Sequence, residues 1–512
     1  MPAADASTAA QRWTLASAIL GSSMAFMDGT VVNVALPAIQ RSLGATGADA
    51  QWVIEAYALF LSALLLVGGA LGDRFGRKRL YVIGVATFVA TSAACAAAPT
   101  PGLLVAARAL QGVGAALLVP GSLALLGAVF PQETRGRAIG TWSAFSAITA
   151  AVGPVVGGFL VDHASWRWAF LLNLPIGAAL LLWTLPRVPE SLGDTGPGAI
   201  DVAGAACATL GLAGVVFALI EAPARGWAAP AVAASGLAGL AALVAFGVIE
   251  ARSAAPMLPP ALFRNRAFAG ANLLTLLLYA ALGGSLYFLP LQLIQVEGYA
   301  ATAAGATLLP MVVIMATLSR RTGALADRVG ARLPLMVGPA IAAAGFAGLA
   351  FAPGAPSYWS GIFPATCVLG LGMSVTVAPL TTTVMNAVGE ALAGTASGVN
   401  NAVSRTAGLL AVAALGVLLT AVFDAQLGPR LAAAGVPAEL AQAAEAQRAR
   451  LAAITAPAGT AGAVAAQVHA AVGGAFTAGF RAVMLFSAGL ALASAAVALL
   501  MIPGPAPKGS SA

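Results

Sequence analysis

Asp28 is a solitary acid in a long apolar run, and an unpaired ion at such a position costs at least ~2.5 kcal/mol in a bilayer core. Counted from Trp13, helical rise places it roughly 22 Å into the first span. Glu55 stands about one turn into the next run, and Arg108 roughly 9 Å into the fourth, both entered from the opposite side. The three depths overlap. Asp28, Glu55 and Arg108 therefore read as one buried cluster, with Gln111 one turn beyond Arg108. Burial favours a neutral carboxyl, whereas a neighbouring guanidinium or a bound cation favours the carboxylate. A proton and a cationic ligand would then compete for one negative charge, which is the minimum needed for exchange. Plainer readings stand beside this one: Asp28 and Arg108 as a structural ion pair, and Glu55 at the wet outer interface.

The elements carrying these residues are membrane helices. The chain of 512 residues is 60% hydrophobic and 8% charged, with mean hydropathy +0.92. A soluble domain averages about 25% charged residues. Apolar runs read as spans over 13–38, 50–71, 79–98, 102–129, 136–161, 167–186, 198–221, 229–250, 266–292, 302–322, 333–352, 357–381, 394–423 and 476–502. All must be helical, because helices satisfy their own backbone in lipid and alternating barrel strands are absent. Met1–Gln11 carries no cleavable signal. With the N terminus in the cytoplasm, inner segments hold sixteen Arg and Lys and outer segments six, so both termini are expected inside. The net charge of +7 is then a consequence of topology, and a nucleic-acid partner is not expected.

The chain is doubled. Gly69-Ala-Leu-Gly-Asp73-Arg74-Phe-Gly76 returns, six of eight positions identical, at Gly323-Ala-Leu-Ala-Asp327-Arg328-Val-Gly330. Halves related in this way are a mark of secondary transporters. The halves cover 1–190 and 262–512, six spans each, with two inserted spans and their linkers at 191–261. The same offset sets Leu282, Leu309 and Ile362 against Asp28, Glu55 and Arg108, so the charged cluster is confined to the first half. The second half offers Tyr279, Tyr287, Phe288 and Gln292, either as cavity lining or as ordinary core. The outer loop 424–475 reads as a weakly ordered tether, although Pro437 can start a short helix running to Leu451. Cys95, Cys207 and Cys367 fall in spans as packing residues, and no metal motif or catalytic constellation occurs.

Five segments resemble one family. Gly69 to Lys78, including Asp73, Arg74, Gly76 and Arg77, resembles the loop motif between spans two and three of the major facilitator superfamily. Arg108-Ala-Leu-Gln111-Gly112-Val-Gly114 resembles its arginine motif on span four, and Gly153-Pro154-Val-Val-Gly157-Gly158 its antiporter motif on span five. Met27-Asp28-Gly-Thr-Val-Val-Asn33-Val-Ala-Leu-Pro37 and Trp166 to Gly177, with Asn173, resemble segments of the 14-span drug:proton antiporters. Asn400, Asn401 and Arg405 on span thirteen also resemble a family segment. One departure is visible: Thr149 stands where the antiporter motif has a glycine, and slightly looser helix packing is expected there.

The resemblance implies an all-α polytopic major facilitator fold, two six-helix bundles about a pseudo-twofold axis plus two inserted helices. It implies proton-coupled export of hydrophobic or amphipathic compounds, cationic ones above all, across the cytoplasmic membrane by alternating access. Asp73, Arg74, Arg77, Asp327 and Arg328 are then gate residues, and Asn33, Asn173, Asn401 and Arg405 candidate cavity residues. No cofactor beyond the proton gradient and no metal is expected; the partners are protons, small molecules and lipid, for a monomer without enzymatic activity. The alternatives are a dedicated exporter of one secreted metabolite or antibiotic, and, more distantly, a solute:proton symporter.

Overall fold

The computed structural model describes residues 2–193, 201–253, 256–388 and 392–504. Every regular element among them is helical, and fourteen helices are long and apolar enough to cross a bilayer. The first half contains α1 (Pro2–Leu43), α2 (Gly47–Phe75), α3 (Arg77–Ala97), α4 (Pro101–Val129), α5 (Gln132–His163), α6 (Trp168–Leu171) and α7 (Asn173–Arg187). The inserted hairpin is α8 (Val202–Arg225) and α9 (Pro230–Arg252). After it come α10 (Arg266–Leu291), α11 (Ala301–Ala306), α12 (Leu309–Val329), α13 (Arg332–Phe351), α14 (Ile362–Asn386), α15 (Ala393–Ala433), α16 (Ala438–Glu445) and α17 (Gly462–Met501).

Local sequence sets the helix starts. Thr46 and Asp49 form a reciprocal capping box at the head of α2, Thr100 caps α4 just ahead of Pro101, and Asn265 caps α10 through the amides of Ala267 and Phe268. Span six runs through α6 and α7, and Leu172 between them keeps helical dihedrals and donates to the Trp168 carbonyl at 3.0 Å.

The chain forms two compact units, one of Met1–Met257 with Tyr299–Ala306, the other of Leu258–Gly298 with Thr307–Ala512. In the first, α4 nests against α2 and α3 around Met24, Tyr57, Tyr81, Phe88, Leu118 and Leu180. The arginine-motif glycines permit this approach: a Cβ on Gly112 would lie 2.5 Å from the Tyr57 carbonyl oxygen, and one on Gly114 2.8 Å from the Phe88 nitrogen. The inserted hairpin belongs to this unit and docks on α2, where Trp52 Nε1 donates to Glu221 Oε1 at 3.0 Å. Glu221 also pairs with Arg225 at 2.7 Å, and the Trp52 and Phe217 rings lie 6.2 Å apart.

In the second unit, α15 and α17 have 41 and 40 residues. At 1.5 Å per residue each is about twice as long as a ~30 Å hydrocarbon core requires. The outer loop is accordingly no loose tether. The ends of α15 and α17, with α16 and a 3-10 turn at Arg448–Ala453, bury Leu427, Leu431, Val436, Ala444, Ala452 and Ile454. Pro437 does start a helix, but α16 ends at Glu445 and the chain turns before Leu451.

Candidate functional site

The centre of the site is the Asp28 carboxylate on α1, 1% exposed. Arg108 on α4 forms a short, fully buried ion pair with its Oδ2 through Nη1. Oδ1 accepts hydrogen bonds from Gln111 Nε2 at 3.0 Å and from Asn173 Nδ2 at 2.9 Å. Arg108 Nη1 also donates to Gln111 Oε1 at 2.8 Å, and Nε to the Val53 carbonyl of α2 at 2.9 Å. The guanidinium lies 4.3 Å from the Tyr57 ring centroid and 5.7 Å from that of Phe170. A charge drawn out of water needs this many partners, since breaking one side of a buried pair typically costs about 3–5 kcal/mol. Three donors thus converge on one carboxylate, from spans four and six.

Two residues here were not legible beforehand as partners of Asp28. Asn173 stood only as a cavity candidate, and its amide, at the first residue of α7, meets Asp28 on α1. Ser92 on α3 accepts from Gln111 Nε2 at 3.3 Å and Asn173 Nδ2 at 3.0 Å, and donates to the Phe170 carbonyl at 2.9 Å. Nothing in the run Thr91-Ser92-Ala93-Ala94 distinguishes that serine from a helix-packing residue.

Glu55 is not in this cluster. Val53 and Tyr57, one turn apart, present the face of α2 that meets Arg108. Glu55 lies two residues from each, so it projects from roughly the opposite side of the helix. It is nonetheless buried, and its Oε2 has no hydrogen-bond partner. Arg108 Nη2 is likewise buried without one. Depth placed Glu55 at the right height but said nothing of its direction.

The antiporter motif packs beside the Asp28 helix. Cβ atoms on Gly153 and Gly157 would fall 2.2 Å from Thr30 Oγ1 and 2.8 Å from Val31 Cγ1, both on α1. Thr149, in place of the motif's glycine, bridges this seam: its hydroxyl donates to the Phe145 carbonyl at 2.7 Å and lies 3.0 Å from Ser23 Oγ on α1, from which it can accept. On its other side α5 holds the short helix α11. Gly158 faces the Ala301 backbone, and Gly305 of α11 faces the Pro154 carbonyl. Asp162, near the end of α5, accepts from Ala301 N at 3.0 Å, Thr302 N at 2.8 Å and Thr302 Oγ1 at 2.6 Å. These are charge-assisted bonds to the exposed amides of a helix start. Asp162→Ala should therefore loosen α11 from α5. With the native cysteines replaced, a cysteine at the buried Ala301 position should react several-fold faster with a membrane-impermeant maleimide than in the Asp162 parent; unchanged labelling would show that the glycine contacts alone hold α11.

At the other end of the first bundle lies the repeated loop. Arg77 Nε pairs with Asp73 Oδ1 at 2.7 Å, and Gly76 between the helices has φ +110°, a backbone region that favours glycine. Arg74 is exposed and lies over Phe75. The amides at the start of α3 are capped by Glu190 rather than by Asp73: its carboxylate accepts from Lys78 N at 2.9 Å and Arg79 N at 3.0 Å. The chain after α7 lies across the hinge, with Arg77 N donating to Ser191 O and Gly193 N to Asp73 O, both at 2.9 Å. Glu190 was missed in the sequence, though an acid directly after Pro189 at a helix end was its signal. In the second copy Arg328 is exposed, and the side chain of Asp327 lies outside the described residues.

The second-half candidates divide. Tyr287 and Phe288 are 2% and 1% exposed and meet edge to face at 4.7 Å, so they are core and not cavity lining. Gln292, equally buried, donates to Thr477 Oγ1 at 3.0 Å within a π-helical turn, Gln292–Val296. It also donates to Glu297 Oε1 at 3.3 Å, just beyond the helix, where burial pushes that carboxyl above its ordinary range and the amide opposes the shift. Tyr279 and Arg405 are half-buried and Asn401 exposed. Its neighbour Asn400 turns inward, donating to Asn272 Oδ1 at 3.2 Å and Thr275 Oγ1 at 2.7 Å. Asn33 on α1 is half-buried with Oδ1 unpartnered.

This fold and these motifs have relatives. The chain is 35% identical over 422 residues to the Multidrug resistance protein Stp of Mycobacterium tuberculosis, covering 82% of this chain and 78% of that protein. It is 33% identical over 411 residues to the Tetracenomycin C resistance and export protein of Streptomyces glaucescens, covering 79% and 75%. In structure it is similar to a bacterial homolog of the human lysosomal transporter Spinster in an inward-facing, unoccupied conformation, with a TM-score of 0.64 at 16% identity, over 97% of this chain and 99% of that one. The sequence profile of the Major Facilitator Superfamily matches residues 18–412. Fourteen apolar helices, a doubled hinge motif and this profile together make the chain a multi-pass membrane protein that belongs to the major facilitator superfamily.

Proposed function

We propose that the protein exports hydrophobic or amphipathic compounds, cationic ones included, across the plasma membrane in exchange for protons, with both termini in the cytoplasm. The observation carrying this reading is the Asp28 carboxylate, the only acid in the described network, held by Arg108, Gln111 and Asn173 inside an apolar bundle. A carboxylate so placed can exchange its cationic partner for a proton, and the drug and antibiotic exporters that the chain resembles supply the substrate class. The family and the relatives are transporters, and transport needs no bond-making chemistry, so an enzymatic role is not proposed. The resemblance to a tetracenomycin C export protein favours, as a second reading, one dedicated natural product as the main substrate.

Everted membrane vesicles test the proposal. Energised vesicles containing the protein should accumulate ethidium, and a proton uncoupler should abolish the accumulation. Uptake indifferent to the uncoupler would remove proton exchange from the reading. Uptake of one secreted antibiotic but of no unrelated cation would select the second reading.

A further inference from the structure

The hydrogen bonds around Asp28 run in one direction only. Arg108 can only donate, and it occupies Gln111 Oε1. The Gln111 amide nitrogen must then face Asp28 Oδ1 and Ser92 Oγ, which use both of its hydrogens. The Phe170 carbonyl can only accept, so it takes the Ser92 hydroxyl hydrogen. Ser92 Oγ is left as an acceptor, and the Asn173 amide must also present hydrogens, one to Ser92 and one to Asp28. Every group pointing at the Asp28 carboxylate is therefore a donor.

Such a shell suits a carboxylate and conflicts with a carboxylic acid. A proton on Oδ1 would meet two N–H groups, and one on Oδ2 would meet Arg108. Turning the Asn173 amide over would offer the acid an acceptor, but it would also set Asn173 Oδ1 against Ser92 Oγ, whose hydrogen is committed to Phe170. Ser92 thereby blocks the local remedy. The other ionisable or charged groups that meet the shell are Arg108 from α4, Cys95 from α3 through Gln111 Oε1, and Tyr57 from α2 beneath the guanidinium; none offers the new O–H a free acceptor.

Resting on the exchange reading above, we propose that Ser92 is a positioning residue for proton coupling. By fixing the amides of Gln111 and Asn173 as donors, it ensures that protonation of Asp28 breaks the Asp28–Asn173 bond instead of being absorbed in place. That bond ties α1 to span six less than one turn from Phe170, so the proton is read out as release of span six from α1. A buried network with a single satisfied orientation is the kind of two-state element that such coupling needs.

The test separates coupling from movement of the drug itself. Purified protein in proteoliposomes would be assayed for ethidium transport driven by an imposed pH gradient, and for ethidium counterflow at equal pH. In Ser92→Ala the driven rate should fall about tenfold while counterflow stays within about twofold of wild type, the effect expected from losing one hydrogen bond's worth of discrimination. Asn173→Ala, which removes the partner of both Ser92 and Asp28, should lower the driven rate at least as far. Ser92→Thr, which retains the hydroxyl, should recover most of the driven rate. Undiminished driven transport in Ser92→Ala, or parallel loss of driven transport and counterflow in that variant, would overturn the proposal in favour of a packing role. A wild-type protein without ethidium counterflow would instead strike the export reading itself.

Discussion

Asp28→Asn should abolish proton-driven export while leaving exchange of drug for drug measurable. Asparagine matches the shape of the carboxyl and still accepts from Gln111 and Asn173 through one oxygen, but it cannot carry a proton. Its amide also turns a donor toward a shell made only of donors, since Arg108, Gln111 and Asn173 all point hydrogens at this position. The Arg108 guanidinium would then be buried without a counter-charge, a loss that typically costs about 3–5 kcal/mol in a protein interior. Insertion and folding are therefore best read against Asp28→Asn combined with Arg108→Gln, which removes the orphaned charge. Both proteins should show no pH-driven ethidium transport in proteoliposomes, and the double variant should match wild type in thermal stability in detergent to within a few degrees, about 1 kcal/mol for a protein of this size. A wild-type driven rate in either would remove Asp28 from the coupling step.

What could be read in advance followed from what a bilayer forbids. Asp28, Arg108 and Gln111 were identifiable because charge in an apolar helix is costly, and helical rise converts sequence position into depth. Depth carries no azimuth, however. Glu55 shares the height of Asp28 but leaves α2 on a different face from Val53 and Tyr57, and no hydropathy pattern could say which face meets α4. Ser92 was invisible for another reason, since a serine in an alanine-rich helix is ordinary until the backbone brings it to a carbonyl; Glu190 had a signal in the Pro189 before it, which does not say which helix start it caps. The outer ends of α15 and α17 show a third limit. Alanine-rich sequence continues a helix as readily in water as in lipid, so the end of the apolar run did not mark the end of the helix at Ala433 or its start at Gly462.

The two copies of the hinge should not be equivalent, because the first carries a strap that the described residues of the second do not repeat. The repeat extends beyond the loop motif to the ends of the halves. Val188-Pro189-Glu190 follows α7 as Ile502-Pro503-Gly504 follows α17, and the two capping residues share nearly the same backbone, φ −92° and ψ 127° against φ −86° and ψ 128°. Where the first copy places the Glu190 carboxylate on the start of α3, the second therefore has a glycine. Arg77-Lys78-Arg79 likewise becomes Ala331-Arg332-Leu333, and Arg332 there reaches the Leu499 carbonyl at 2.5 Å. Asp73 thus works within a network of charge-assisted bonds, and the sequence has neither an acid at Gly504 nor a cation at Ala331 to rebuild it at the second hinge. Each such bond is worth about 1.5–3 kcal/mol when dry, and less here, since the Asp73 side chain is 33% exposed. A net loss near 1.4 kcal/mol, about tenfold in a two-state equilibrium, is the expected scale for Asp73→Asn, with export reduced to match. Glu190→Gln should act in the same direction, because it weakens the cap on α3 while leaving the Asp73–Arg77 pair in place. Asp327→Asn should cost no more than about threefold, under 1 kcal/mol, since Ala331 stands where Arg77 pairs with Asp73. Labelling of single cysteines from each membrane face would measure the shift, which should run toward the cytoplasmically open form for Asp73→Asn and Glu190→Gln. Equal shifts at the two hinges, or a larger one for Asp327→Asn, would mean that the strap after α7 is a bystander and that the loop motif alone sets the gate.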